Sequence, residues 1–224
     1  MSFSSSQKHL KIVRLKLWIA FRMIMRRVQR KDPAMSTSIR FKFNALKTVQ
    51  VAAMFLDLHG GTMKYLGLLK LLYLADRIAL KRLDRPLSGD KYFSMDFGPV
   101  LSTTYDLIKN RPILEAIDIW KKHISTRDES SNYVVELLTK PGDDELSEEE
   151  EEIIREVYRK CGNRDRFELA ELTHYLPEWQ DPHGSAIPID IGDILKYLGK
   201  TEEEIESIRE IAAREAYLDK ILNG

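Results

Sequence analysis

Cysteine is nearly absent: Cys161 is the only one, so no internal disulfide can form. The fold therefore does not depend on an oxidising compartment. A nucleophilic thiol needs a placed base, and no neighbouring pattern supplies one. Cys161 reads as a small apolar residue near a helix end. Long hydrophobic runs are missing from the apolar N-terminal stretch, where the longest uncharged run is Leu17 to Phe21, five residues. A membrane span needs roughly twenty and the apolar region of a secretion signal about seven or more. Metal-ligand spacing is also missing. His59, His123, His174 and His183 form no i, i+4 pair with one another or with the cysteine, which argues against zinc. Gly60-Gly61 is not followed by Lys-Ser or Lys-Thr, so it is no phosphate loop. The expectation is a cytoplasmic protein that is not an enzyme, with no catalytic residue, no cofactor and no metal.

What is present is a globular composition, 43% apolar and 31% charged in 224 residues, enough for one domain with a proper core. The net charge of zero hides a split. Residues 1–40 hold ten Lys or Arg against Asp32 alone, a charge of +9, and the remainder carries −9. Residues 8–31 interleave basic residues with Leu, Ile, Val, Met, Trp18 and Phe21. This stretch reads as a loosely ordered or helical extension, or as a start-site artefact ahead of Met35. The alternative is a basic arm for nucleic acid or a membrane surface. The division expected is 1–40 as the basic extension and 41–224 as the domain.

From Asn44 the pattern is mostly helical. Asn44 caps a helix with apolar positions at three- and four-residue steps, and Gly60-Gly61 ends it. Residues 63–83 are apolar on nearly all sides over two turns, which predicts the central helix of the core. A weak strand at 91–97 is broken by Gly98-Pro99, and a helix runs from near Ser102 to about Asn110. A short helix at 113–121 leads to a hairpin of 123–127 with 133–139. Ser147 with Glu150, Asp165 with Glu168 and Thr201 with Glu204 are helix-start signatures. The fold class is mainly α (α+β): a compact helical domain with a small antiparallel β-sheet or hairpin.

Four carboxylates, Asp76, Asp90, Asp96 and Asp106, fall within about thirty residues. Brought together, such groups can do acid–base work or hold a divalent ion, but acids at helix ends are more simply caps. Asp76-Arg77 near the end of an apolar helix is expected to lock that helix to the Gly89–Pro99 loop. His174 near Trp179 is expected to make a structural hydrogen bond and a packing contact. The run from Asp143 to Glu152, eight acids in ten residues, reads as a solvated helix start, or as a surface for a basic partner.

Several of these residues recur in an ordered set. Lys70-Leu71-Leu72-Tyr73-Leu74-Ala75-Asp76-Arg77 is followed by Arg85-Pro86-Leu87-Ser88-Gly89-Asp90 and Tyr92. Then come Phe97-Gly98-Pro99-Val100, Tyr105-Asp106-Leu107, Leu146-Ser147-Glu148, Leu172-Thr173-His174 and Trp179. The set resembles the phage-associated SocA-like Panacea antitoxin family over roughly residues 43–217. The resemblance implies a mainly helical antitoxin domain in a toxin–antitoxin system, acting on a cognate toxin by protein–protein interaction. It also implies an alternative, delivery of the toxin to a Clp-type protease. As structural or partner-binding positions it singles out Tyr73, Asp76, Arg77, Gly89, Asp90, Tyr92, Gly98, Pro99, Tyr105, Asp106, His174 and Trp179.

Overall fold

The computed structural model describes residues 38–129 and 132–223. The basic-arm, membrane-surface and added-extension readings of residues 8–31 lie outside them. Asn44 accepts a hydrogen bond from Lys47 N through its side chain and starts α1 (Ala45–Leu58). Gly60 and Gly61 both take positive φ and stop it, with Gly61 N bonded back to Leu56 O at 2.7 Å. A three-residue strand, β1 (Thr62–Lys64), then leads into α2 (Tyr65–Leu83). Leu68, Leu69, Leu71, Leu72, Ala75 and Ala79 of α2 are all buried. This is the central helix that the apolar run requires.

The predicted weak strand is β2 (Tyr92–Met95). Gly98-Pro99 does not break the extended structure, contrary to expectation, but opens a second strand, β3 (Gly98–Leu101), antiparallel to β2. The strand order is β3-β2-β6, with β6 (Ile187–Ile189) on the far side. Pro99 is tolerated because β3 is an edge strand, where no partner needs the missing N–H.

Helices α3 (Ser102–Ile108) and α4 (Leu114–His123) follow. The expected hairpin is β4 (Ile124–Glu129) with β5 (Asn132–Leu137), extended by β1 into a sheet of order β1-β5-β4. The capping boxes at Ser147 and Asp165 both form and start α5 (Glu148–Cys161) and α6 (Arg166–His174). Asp190 caps α7 (Ile191–Tyr197), and Thr201 with Glu204 starts α8 (Glu202–Asn223). Among the described residues the fold is thus eight helices and two three-stranded antiparallel sheets, mainly α with small β elements. Helix α2 packs on α1, α5, α6 and β3, with Trp120, Phe55 and Tyr73 as the bulkiest buried pieces. None of these helices is long and apolar enough to cross a membrane.

Candidate functional site

The C-terminal half of α2, the loop after it, the β2–β3 hairpin and the segment 174–180 meet around a buried polar network. Asp76 is at its centre. Its Oδ1 accepts from Leu87 N at 2.9 Å and Ser88 N at 3.0 Å, and its Oδ2 accepts from Ser88 Oγ and from Tyr92 OH, the latter at 2.9 Å. Burial pushes its carboxyl up to about 6, outweighing the hydrogen bonds that pull it down. Burial also raises the phenols of Tyr73 and Tyr92 well above their ordinary value. Their rings meet edge to face at 5.4 Å.

Arg77 does not reach the Gly89–Pro99 loop as expected. Its guanidinium forks onto Glu178, at 2.6 Å and 3.3 Å, and Tyr73 OH donates to the same carboxylate at 3.0 Å. From α2, the Gly89–Pro99 segment is held by Asp76 through Tyr92 and by Lys70 through Pro99 O, not by Arg77. Glu178, whose side chain is fully buried, was missed by the sequence reading. It lies about a hundred positions from its partners, and the only local signal was its place beside Trp179.

Gly89 has φ +68 and lies against the Lys42 carbonyl so closely that no Cβ would fit. Asp90 caps α3 from a distance. It accepts from Thr103 N at 2.9 Å, Thr104 N at 2.8 Å and Thr104 Oγ1 at 2.9 Å, replacing the side-chain cap that Leu101 cannot give.

A second buried polar group was also missed. Lys70 is fully buried, and its Nζ donates to Pro99 O at 2.7 Å. Burial pulls its ammonium down to about 7. Gly98, with φ +90, lies between Lys70, Thr173 and His174. A Cβ there would be 3.0 Å from Lys70 Nζ and 3.3 Å from His174 Cδ2. His174 stacks on Trp179 with centroids 4.1 Å apart. Burial and the nearby Lys70 charge both lower its pKa. Its Nε2 is buried without a hydrogen-bond partner, while Trp179 Nε1 donates to Met95 O at 3.1 Å.

The four candidate carboxylates are not brought together as a set. Asp76 and Asp90 serve the separate tasks above, Asp96 accepts from Gly184 N at 2.9 Å, and Asp106 pairs with Arg111 at 2.7 Å. Tyr105 stands apart from the network, in a cluster with Tyr65 and Tyr133 around the Lys109 ammonium. Cys161 is a half-buried free thiol whose pKa burial raises. Among the described residues no group of three His, Cys, Asp or Glu could hold a metal ion. Part of the acidic run is engaged within the fold, while Asp143, Glu148, Glu149 and Glu152 are exposed. Glu150 pairs with Lys47 at 2.7 Å, Asp144 accepts from Gln50, Glu145 from Asn44, and Glu151 pairs with Arg155.

The fold and the site define an α-rich module whose distinctive polar residues face inward and bind one another. Residues 68–180 match the family described as antitoxin SocA-like, Panacea domain. The match covers half of the chain, and the chain belongs to that family, which carries an antitoxin-type role. Every motif residue from Tyr73 to Trp179 falls within the matched span. No curated protein and no solved structure matches the chain.

Proposed function

We propose that the protein neutralises a cognate toxin protein by stoichiometric contact, without bond-making chemistry of its own. One observation carries this reading: the acids of the buried network, Asp76, Asp90 and Glu178, are all engaged by the protein's own donors. A general base or metal ligand needs a lone pair directed at a substrate-sized space. Here those lone pairs hold α2, the hairpin and the 174–180 segment in one arrangement. A scaffold of this kind presents a fixed surface, which suits recognition.

The test is co-expression of the full chain with the product of the adjacent reading frame, followed by pull-down of the purified pair. The expected result is rescue of growth and a stoichiometric complex. Rescue without complex formation, or turnover of a substrate by the purified chain, would overturn the reading. The toxin's half-life in the rescued cells separates occlusion, which leaves it unchanged, from delivery to a Clp-type protease, which shortens it.

A further inference from the structure

The buried network has an unusual output. Strands β2 and β3 are joined through Asp96 and Phe97, since Met95 pairs with Gly98. Almost every group around that turn is fixed from below. Lys70 holds Pro99 O, Trp179 holds Met95 O, Gly184 N holds Asp96, and Gln180 N holds Ser94 Oγ at 3.1 Å. Yet Phe97 at the tip is 55% exposed. It leans on Phe167 of α6, itself 52% exposed, with centroids 6.4 Å apart. The Arg166 guanidinium lies 4.6 Å from the centre of the Phe167 ring.

Arg166 also lines a cleft of about 330 Å³ together with Arg164, Lys64 and His59. The neighbouring carboxylates, Asp165 and Glu168, are committed to the capping box of α6. Arg164 and Arg166 form no ion pair among the described residues. This basic cleft belongs to a body whose net charge beyond residue 40 is −9. Two exposed aromatic rings in mutual contact, flanked by unpaired guanidinium groups, have the composition of an interface centre. Rigid support beneath the ring removes the ordering cost that an exposed Phe on a mobile loop would carry.

We infer that Phe97 and Phe167, with Arg164 and Arg166 beside them, form the surface that seats the toxin, and that the toxin contributes an acidic segment with an apolar anchor. This rests on the reading of the protein as a toxin-binding module and locates its contact face. The aromatic pair supplies affinity, and the arginines supply charge complementarity and speed of association.

The experiment uses the full chain and the toxic product of the adjacent reading frame, with binding followed by surface plasmon resonance at two salt concentrations. Three double variants are compared: Phe97→Ser with Phe167→Ser, Arg164→Glu with Arg166→Glu, and Tyr217→Ser with Leu222→Ser. The last pair lies on a separate exposed apolar stretch of α8, at 65% and 77% exposure. All six positions are at the surface or half-exposed, and circular dichroism checks that each variant keeps its fold. The aromatic pair is expected to weaken binding about 100-fold or more. Charge reversal is expected to slow association about tenfold and flatten its salt dependence. The α8 pair is expected to bind as the parent does. Parent-like binding by the aromatic variant, faster association by the charge-reversed one, or loss of binding only in the α8 variant overturns the inference while toxin binding stands. Failure of the unmodified chain to bind removes the functional reading itself, and the inference with it.

Discussion

Replacing Lys70 with Met should stabilise the protein at neutral pH and destabilise it in alkali. Lys70 ordinarily titrates at 10.5 and is held at about 7 in the fold. Each pH unit between those two values corresponds to about 1.4 kcal/mol, so forcing this amine into the interior costs on the order of 5 kcal/mol at pH 7 and below. Between pH 7 and 10.5 the unfolded chain binds more protons than the folded one. Stability from this group is therefore fully present above pH 10.5 and is lost as pH falls to 7. Met has a similar length and no charge, so Lys70→Met removes that loss. It also removes the bond to Pro99 O, worth about 1–3 kcal/mol if the carbonyl stays dry. The balance at pH 7 favours Met by about 2–4 kcal/mol. Near pH 10.5 only the lost hydrogen bond remains, and the natural residue is ahead by about 1–3 kcal/mol. Urea unfolding followed by circular dichroism, at half-unit steps from pH 6.5 to 10.5, reads both proteins, and titrations common to the two cancel in the difference. Parallel stability curves with no crossing would mean that Lys70 is charged and solvated in the fold, and would refute its burial as a cost to stability.

Three other perturbations test the same network. Asp76 is raised from 3.8 to about 6, so its contribution is full below pH 3.8 and is lost as pH rises through 6. Asp76→Asn should abolish that dependence, moving the stability difference between the two proteins by about 3 kcal/mol between pH 3.5 and 7, as read by urea midpoints. Glu178→Ala leaves Arg77 and the Tyr73 hydroxyl without their partner and should cost about 3–5 kcal/mol in the same assay. Gly98→Ala meets both a positive φ and the Thr173 hydroxyl and should cost about 2–4 kcal/mol. Adding Thr173→Ala should recover part of that loss, and a double variant no better than the single one would show that the backbone strain alone is responsible.

Wherever the deciding chemistry is local, the sequence was legible. Asn44, Ser147 with Glu150, Asp165 with Glu168 and Thr201 with Glu204 each close their hydrogen bonds within three residues. Their helices start where the residues say. The burial of α2 was legible because its leucines leave no polar face over two turns. Strands β1 and β6 were not, since three residues carry no periodicity and exist only through partners at Val134–Glu136 and Ser94–Tyr92. Gly98-Pro99 was misread for the same reason: its signature is that of a break, and only the edge position of β3 makes it a strand. Helix α7 was within reach, with Asp190 as cap and Ile191, Ile194 and Leu195 on one face. Within the network, Lys70 was hidden in an apolar run and Glu178 by its sequence distance from Arg77.

On the proposed toxin-binding reading, the placement of the motif would let one scaffold serve different partners. Buried Lys70, Asp76 and Glu178 are poor ways to gain stability, because apolar residues of equal volume would do as well or better. What such groups do well is reject alternatives. A two-residue slip of β3 past β2 would take Pro99 O away from Lys70, and any rotation of α2 would strand Asp76 and Arg77 without partners. The network therefore fixes the hairpin turn relative to α6 while making no demand on the residues exposed there. Phe97, Phe167, Arg164 and Arg166 are free of that network and can change without disturbing it, so a new partner requires new surface residues and no new fold. On that reading, substitutions inside the network should act on binding to any such partner only through stability. Substitutions at the turn and the start of α6 should act on one toxin and leave the melting temperature unchanged.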